Sequence, residues 1–288
     1  MTVAKRQLIW GCDVKRPVFS VLVVAVAAAA FLFAAVGPAG AITFGQPDGN
    51  RHPNVGALLA DFDPDSPGPE ILCSGTLIAA DVFLTAGHCT SFLEAVGISD
   101  VSVTFAPEYD EDAVAPPGTF PGSYVTHPDF GFSGPGGASD PHDLAVVLLD
   151  SAPGLVPAEL PTERLLDELK AGQGLKDATF TPVGYGAVRE DKTGGPHALF
   201  SDGIRRFASQ TFKSLQSAWL GLSQQPSTGD GGTCFGDSGG PHFLGGVDSN
   251  LLVSITVTGD AQCRASDKTY RLDTASARAF LGQFVALP

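Results

Sequence analysis

A serine flanked by glycines constrains this chain more than any other feature of its sequence. Ser238 lies in the stretch Gly-Asp-Ser-Gly-Gly-Pro, residues 236–241. Glycines on both sides let the backbone expose the hydroxyl and direct nearby amide groups at one point. A serine hydroxyl is a weak nucleophile at neutral pH unless a base accepts its proton and a third group orients that base. The stretch therefore predicts a serine nucleophile, which needs a histidine and an acid from elsewhere in the fold.

Both partners have candidates upstream. His88 lies in Thr-Ala-Gly-His-Cys, residues 85–89, and Asp143 directly precedes the apolar run Leu-Ala-Val-Val-Leu-Leu, residues 144–149. Such a run predicts a buried strand with the acid at its start. Histidine, aspartate and serine in this chain order are those of the chymotrypsin-like proteases. From about residue 42 to its end, the chain resembles the secreted trypsin/chymotrypsin-like serine endopeptidases.

The resemblance implies an all-β fold of two packed antiparallel β-barrels with a C-terminal α-helix. The 35 glycines and 22 prolines agree with many short strands joined by turns. We expect the boundary between the barrels near residues 160–175, with residues 161–174 as a polar linker. Outside the leader, the sequence favours a helix only at residues 274–281, capped by Asp273 or Thr274.

Residues 1–41 read as a secretory signal peptide. Basic residues precede an uncharged run at residues 18–36, and Gly-Pro followed by Ala-Gly-Ala ends it. The run is also just long enough to span a bilayer, so an uncleaved signal anchor stays an alternative. We expect cleavage, a secreted extracellular product without stable membrane association, and a single protease domain at residues 42–288.

The chain is strongly acidic, with 31 Asp and Glu against 17 Lys and Arg and a formal net charge of −14. Removing residues 1–41 takes away four basic residues and one acid, which leaves −17. A surface of this charge excludes nucleic acid as a natural partner. We expect a polypeptide substrate and a monomeric protein.

Two acidic runs leave calcium binding open. Asp61, Asp63 and Asp65 alternate along the chain, and residues 109–112 read Tyr-Asp-Glu-Asp. Carboxylates are calcium ligands, but neither run has the twelve-residue loop pattern of a dedicated site. Plain solvation of exposed loops is therefore the expectation.

Four cysteines follow the leader, and an even number in a secreted protein predicts disulfides. The residues alone allow three pairings. The resemblance implies that Cys73 pairs with Cys89, beside the histidine, and that Cys234 pairs with Cys263, beside the serine.

The resemblance also implies a role for each residue of the site. His88 acts as general base and then general acid, and Asp143 orients its imidazole. The amides of Gly236 and Ser238 form the oxyanion hole. This acyl-transfer chemistry needs no metal ion or organic cofactor. A non-catalytic binding protein on the same scaffold is the main alternative, although its usual signature is a lost histidine, aspartate or serine.

In the resembling family, the aspartate before the serine pairs with a new aliphatic N-terminus. Here that aspartate is Asp237, and cleavage after Ala-Gly-Ala creates an N-terminus at Ile42. The sequence Ile-Thr-Phe-Gly at residues 42–45 resembles the Ile-Val-Gly-Gly of the family. We expect signal peptidase itself to perform the activation, without a separate zymogen.

Substrate preference is the least constrained property. The resemblance places Gly232, where a trypsin has aspartate, six residues before the serine, so a preference for arginine or lysine is not supported. It also places Thr233, Gly259 and Lys268 at the specificity pocket. Lys268 there favours an acidic or small substrate residue, or else points to solvent.

Overall fold

The computed structural model describes residues 42–63, 68–111, 118–131, 140–189 and 199–288. The predicted signal peptide, residues 1–41, lies outside the described residues, as do Asp65 and Asp112 of the two acidic runs. Within the described ranges, no helix is both long and apolar enough to cross a bilayer.

A closed six-stranded barrel forms the first half of the fold. In chain order, the strands of this half are β1 (Gln46–Pro47), β2 (Val55–Ala60), β3 (Glu70–Leu77), β4 (Val82–Thr85), β5 (Val101–Thr104), β6 (Thr119–Thr126) and β7 (Ala145–Leu149). Strands β2 to β7 close in the order β2-β3-β4-β7-β6-β5, and every pairing is antiparallel. Buried apolar residues of β2, β4 and β7 fill its core, and β7 is the strand that the apolar run at residues 144–149 predicted.

The second half forms another six-stranded barrel. The strands of this half, of which six form the barrel, are β8 (Thr179–Gly184), β9 (Val188–Arg189), β10 (Leu199–Phe200), β11 (Arg206–Phe207), β12 (Gln210–Leu215), β13 (Trp219–Ser223), β14 (Pro241–Leu244), β15 (Leu252–Gly259) and β16 (Ser266–Arg271). The barrel runs β8-β12-β13-β16-β15-β14 and closes where β14 pairs with β8. Strand β1 pairs with β11, which in turn pairs with β8 of this half. The predicted all-β fold of two barrels is confirmed.

In the described part of the chain, three α-helices accompany the strands: α1 (Gly87–Val96), α2 (Leu165–Ala171) and α3 (Ala275–Leu281). A 3₁₀ turn also spans Pro226–Thr228. Helix α3 matches the prediction, and the Thr274 hydroxyl accepts the Ala277 N–H at 3.2 Å as its cap.

Helices α1 and α2 correct the sequence-based expectation of a single helix. Helix α2 lies inside the segment predicted as a polar linker, and it buries Leu166 completely against the second barrel. Helices of seven to ten residues present too few turns for a clear periodic pattern, so tertiary packing decides whether they form.

A buried ion pair ties the two barrels together. Arg205 donates from Nε to Asp48 Oδ2 at 2.9 Å, and neither side chain is exposed. The same guanidinium donates to the carbonyl oxygens of Val55 and Phe105 in the first barrel, at 2.8 and 2.9 Å. Burial raises the pKa of Asp48, but the hydrogen bond from His52 and the charge of Arg205 outweigh it and hold that pKa below its usual value.

Replacing Arg205 tests this tie. Arg205→Met leaves Asp48 charged and buried, so the free energy of unfolding falls by about 3–5 kcal/mol, as measured by urea denaturation. Lys176→Met removes the same charge from an exposed site and is expected to change it by about 0.5 kcal/mol or less. A loss below about 1 kcal/mol for Arg205→Met contradicts this assignment.

Candidate active site

The first turn of helix α1 places the candidate base against the candidate acid. His88 Nδ1 lies 3.0 Å from Asp143 Oδ2, and the His88 backbone N–H donates to Asp143 Oδ1 at 2.8 Å. Asp143 is buried, whereas about a third of the His88 side chain is exposed. Two hydrogen bonds to one residue fix the imidazole and leave its Nε2 edge available to another group.

A tight turn holds Asp143 in place. His142, just before it, has a φ of 52°, a left-handed conformation that is uncommon for a residue with a side chain. Asp140 Oδ1 accepts the Tyr270 hydroxyl at 2.6 Å and the His142 N–H at 3.2 Å. Burial and this hydrogen bond to Asp140 both raise the pKa of Tyr270, which therefore stays protonated as the donor. A residue of the second barrel thus supports the strained turn that carries the acid.

The serine segment packs against the same part of the first barrel. The Ser238 carbonyl oxygen accepts the N–H of Ser74 in β3 at 2.9 Å. A side chain at Gly239 would overlap the Ala86 nitrogen and the Ser74 oxygen, each 2.6 Å away, so only glycine permits this approach. Ala86 immediately precedes helix α1, and the serine and histidine motifs therefore meet where the two barrels join. The Ser238 hydroxyl has no hydrogen bond to another described residue.

Two amide groups beside the serine have no acceptor. The N–H groups of Asp237, Gly239 and Gly240 all donate to backbone carbonyls. Those of Gly236 and Ser238 have no acceptor among the described residues, and Gly236 adopts a φ of 94° that favours glycine. Unsatisfied backbone donors next to a partly exposed hydroxyl are what an oxyanion hole requires.

Both expected disulfides are formed, Cys73–Cys89 and Cys234–Cys263. The first connects the neighbour of Ser74 to the neighbour of His88, and so braces the meeting point of the two motifs. Candidate ligand atoms of Cys73, His88 and Cys89 lie within 4.8 Å of one another. The two sulfur atoms are bonded to each other and are not thiolates, so we assign no metal there.

Asp237 is a completely buried acid. Its Oδ1 accepts the Gly186 N–H and its Oδ2 accepts the Cys234 N–H, both at 2.8 Å. Burial raises the pKa of Asp237 to about 7, those two hydrogen bonds oppose the rise, and the nearby charge of Asp267 adds to it. No basic side chain forms an ion pair with Asp237 in the described part of the chain.

The start of the described chain docks on the serine-bearing barrel. Ile42 is completely buried, and Thr43 pairs with Gly232, its N–H donating to the Gly232 oxygen at 2.7 Å. The Thr43 hydroxyl also donates to the Cys263 oxygen at 2.8 Å. In the full-length chain the nitrogen of Ile42 is an uncharged amide. The ion pair predicted between Ile42 and Asp237 is therefore possible only after cleavage, and it stays a prediction.

A cavity of about 310 Å³ adjoins Ser238. Its lining includes two residues that the sequence assigned to the specificity pocket, Thr233 and Gly259. Phe235 stands at this cavity with 64% of its surface exposed.

Gly232 and Lys268, the other two residues that the sequence placed at the specificity pocket, are not among the residues that line this cavity. The space beside Gly232 is occupied by the side-chain amides of Gln210 and Gln224. Lys268 Nζ instead lies 4.6 Å from the centroid of the Trp219 ring. Neighbouring residues of a strand face opposite sides, and in β16 the residue turned inward is Asp267, which is 1% exposed. Sequence reasoning missed Asp267 because it assigned the neighbouring Lys268 to the pocket, and a shift of one residue along a strand exchanges its two faces.

A larger cavity of about 570 Å³ is lined in part by Gly236. Glu111, from one of the acidic runs considered for calcium, lines it and accepts the Ile71 N–H at 2.9 Å. Because each run continues into residues outside the described ranges, calcium binding stays an untested alternative.

Comparison with known proteins agrees with this architecture. The family model described as Trypsin matches residues 60–279. Kallikrein-8 of Rattus norvegicus is 25% identical over 203 residues, which cover 70% of this chain and 72% of the relative. The solved structure of HL collagenase aligns with a TM-score of 0.57 at 18% identity, over 83% of this chain and 95% of that chain. This chain belongs to the trypsin family, and it is a serine-type endopeptidase.

The support from Tyr270 can be measured. Tyr270→Phe removes the hydrogen bond to Asp140 and loosens the turn before Asp143, so kcat falls roughly 10-fold while KM stays constant. Tyr124→Phe is the control, because it also removes one tyrosine hydroxyl bond, to the Ile98 oxygen. Steady-state kinetics should show the lower kcat in Tyr270→Phe and not in Tyr124→Phe. An unchanged kcat in Tyr270→Phe would mean that the Tyr270–Asp140 bond does not support the turn before Asp143.

Proposed function

We propose that this protein is a secreted serine endopeptidase that hydrolyses peptide bonds through His88, Asp143 and Ser238. The observation that carries the proposal is the pair of backbone N–H groups at Gly236 and Ser238 that have no acceptor among the described residues. They lie beside the Ser238 hydroxyl, where the two barrels join. His88 Nδ1 and Asp143 Oδ2, 3.0 Å apart, belong to the same junction. Membership of the trypsin family supports the same chemistry.

The proposed mechanism is acyl transfer. Ser238 Oγ attacks the scissile carbonyl while His88 Nε2 takes the hydroxyl proton, and Asp143 stabilises the imidazolium that forms. The amides of Gly236 and Ser238 donate to the oxyanion. His88 then gives its proton to the leaving amine, and water hydrolyses the acyl-enzyme by the same steps in reverse.

Secretion rests on the leader and on the cysteines. Residues 1–41 have the charge and apolar pattern of a signal peptide, and two disulfides suit an oxidising compartment. N-terminal sequencing of exported protein distinguishes the secreted form from a membrane-tethered protease. An N-terminus at Ile42 supports secretion, and retention of the leader supports the tether.

We infer that cleavage before Ile42 also activates the enzyme. Ile42 is already buried, Thr43 is paired with Gly232, and buried Asp237 has no cationic partner within the described ranges. A free ammonium at Ile42 supplies the charge that this carboxylate needs. No further proteolytic step is then required.

Nucleophile labelling tests the proposed function. A fluorophosphonate should label the mature protein at Ser238, and Ser238→Ala should abolish the label. His88→Ala and Ser238→Ala should each remove nearly all hydrolysis, and the double variant should lose little more, because the two residues act as a unit. Correctly folded, oxidised protein that does not label would support a non-catalytic binding protein instead.

The acid has its own test. Asp143→Asn should keep the fold but lower kcat by about 10⁴-fold, since the imidazole then favours the wrong tautomer. Near-normal turnover in this variant would mean that another acid orients His88.

The buried charge of Asp237 predicts a pH dependence of stability in protein that still carries residues before Ile42. Its pKa is about 7 in the folded state and 3.8 as the model value, so the folded state keeps its proton longer. Stability therefore falls as pH rises from about 4 to about 7. In protein that begins at Ile42, the ammonium offsets this fall.

Melting temperatures from pH 4 to pH 8 compare the two forms, both in a Ser238→Ala background to prevent self-cleavage. Asp237→Asn in the uncleaved form should remove the fall. In the cleaved form, pairing raises the pKa of the amine above its free value of about 7.7–8.0, and its stabilisation is lost as pH rises through that raised value. Parallel curves for the cleaved and uncleaved forms would refute the ion pair.

A further inference from the structure

A buried carboxylate lies directly behind the cavity beside Ser238. Asp267 Oδ2 accepts the Thr233 hydroxyl at 2.7 Å and the Gln210 side-chain N–H at 2.9 Å. Asp267 Oδ1 is buried and has no partner among the described residues. A buried polar atom left unpaired costs stability, so its retention calls for an explanation.

The hydroxyl of Thr233 connects Asp267 to the cavity, because it bonds to the carboxylate and Thr233 lines the cavity. A threonine hydroxyl carries one proton, and in Thr233 that proton is given to Asp267. Thr233 lines the cavity and can therefore present only lone pairs to a bound side chain. A carboxylate behind the hydroxyl strengthens its attraction for a donor, because Asp267 is buried and solvent screens its field only weakly there.

The neighbouring histidine does not neutralise Asp267. His242 Nε2 lies 3.6 Å from Asp267 Oδ2 and 3.0 Å from the hydroxyl of Thr256, which also lines the cavity. Burial lowers the pKa of His242, and the charge of Asp267 only partly opposes this. His242 is therefore uncharged at neutral pH and brings no positive charge to Asp267.

A second carboxylate lines the cavity itself. Asp260 Oδ1 accepts the backbone N–H groups of Ala265 and Ser266, both at 2.8 Å, and the Gln224 side-chain N–H at 3.2 Å. Burial raises the pKa of Asp260, but these hydrogen bonds outweigh it and hold that pKa below its usual value. No lysine or arginine is among the described residues that line the cavity.

We propose that this cavity is a substrate pocket that prefers a lysine or arginine side chain, and that Asp267, acting through Thr233, is its specificity-determining residue. The proposal rests on the proposed endopeptidase function. Strand β16 thus supplies the acid that position 232 lacks. The sequence-based expectation against a basic preference depended on Gly232 and on the placement of Lys268 at the pocket.

A peptide panel tests the preference in the wild-type mature enzyme. The peptides differ only in the residue before the scissile bond, which is lysine, arginine, glutamine, alanine, phenylalanine or glutamate. Active sites are counted with a fluorophosphonate. We expect kcat/KM for lysine and arginine to exceed that for glutamine at least 10-fold, and that for glutamate to be lowest. Equal or higher values for glutamine, phenylalanine or glutamate would overturn the proposal.

Variants test the residue. Asp267→Asn keeps the shape but removes the charge, so the ratio of kcat/KM for lysine to that for glutamine should fall at least 10-fold, and Thr233→Val should shift it the same way. Both values come from one preparation, so partial unfolding does not alter the ratio. Lys268→Met, the next residue of β16 but outside the cavity, should leave the ratio unchanged. A wild-type ratio in Asp267→Asn would overturn the role of Asp267.

An inhibitor pair covers the case in which Asp267→Asn does not fold. Benzamidine, a planar cation, should inhibit wild-type enzyme competitively, whereas neutral benzamide should not, and equal inhibition by both would count against the pocket. Failure of the proposed function gives a different result, namely no fluorophosphonate label and no cleavage of any peptide. A labelled enzyme that cleaves peptides without a basic preference contradicts the pocket alone.

Discussion

The hydrogen bond between the Ser74 N–H and the Ser238 oxygen, 2.9 Å long, joins the two halves of this active site. His88 and Asp143 belong to the first barrel and Ser238 to the second, so chemistry depends on keeping the barrels in register. The Arg205–Asp48 pair, the Tyr270–Asp140 bond and the Cys73–Cys89 disulfide all act on this seam. Close packing transmits small shifts, and each of these contacts therefore bears on the geometry of the site.

The second barrel contains two buried carboxylates, Asp237 and Asp267, and each carries one of the proposals made for this protein. The carboxylate of Asp237 accepts two backbone N–H groups, and in the proposed activation its cationic partner is the ammonium of Ile42. Asp267 accepts the hydroxyl of Thr233, which lines the cavity, and it is the proposed specificity residue. An unpaired charge in a protein interior is costly unless a partner or a ligand compensates it. The two proposals therefore assign one buried acid to activation and the other to substrate preference.

The family resemblance carried by the motifs around His88, Asp143 and Ser238 was sufficient for the fold class and both disulfides, because these motifs are local and fixed in order. Helix α3 followed from its own cap and apolar spacing. The sequence was insufficient wherever a contact depends on register or on distant residues. A shift of one residue along β16 exchanges Lys268 for Asp267 at the inner face. Helix α2 forms because Leu166 finds a hydrophobic cluster, and the Tyr270–Asp140 bond joins residues 130 positions apart. Neither leaves a pattern within a short window of sequence.

The most direct test of the assembled site is a crystal structure of the mature protein after reaction with a fluorophosphonate. The account predicts phosphorus bonded to Ser238 Oγ, with one phosphoryl oxygen about 2.7–3.1 Å from the amide nitrogens of both Gly236 and Ser238. His88 should face the adduct through Nε2 while Nδ1 stays on Asp143. An adduct on another residue, or a phosphoryl oxygen out of reach of both amides, would contradict the account.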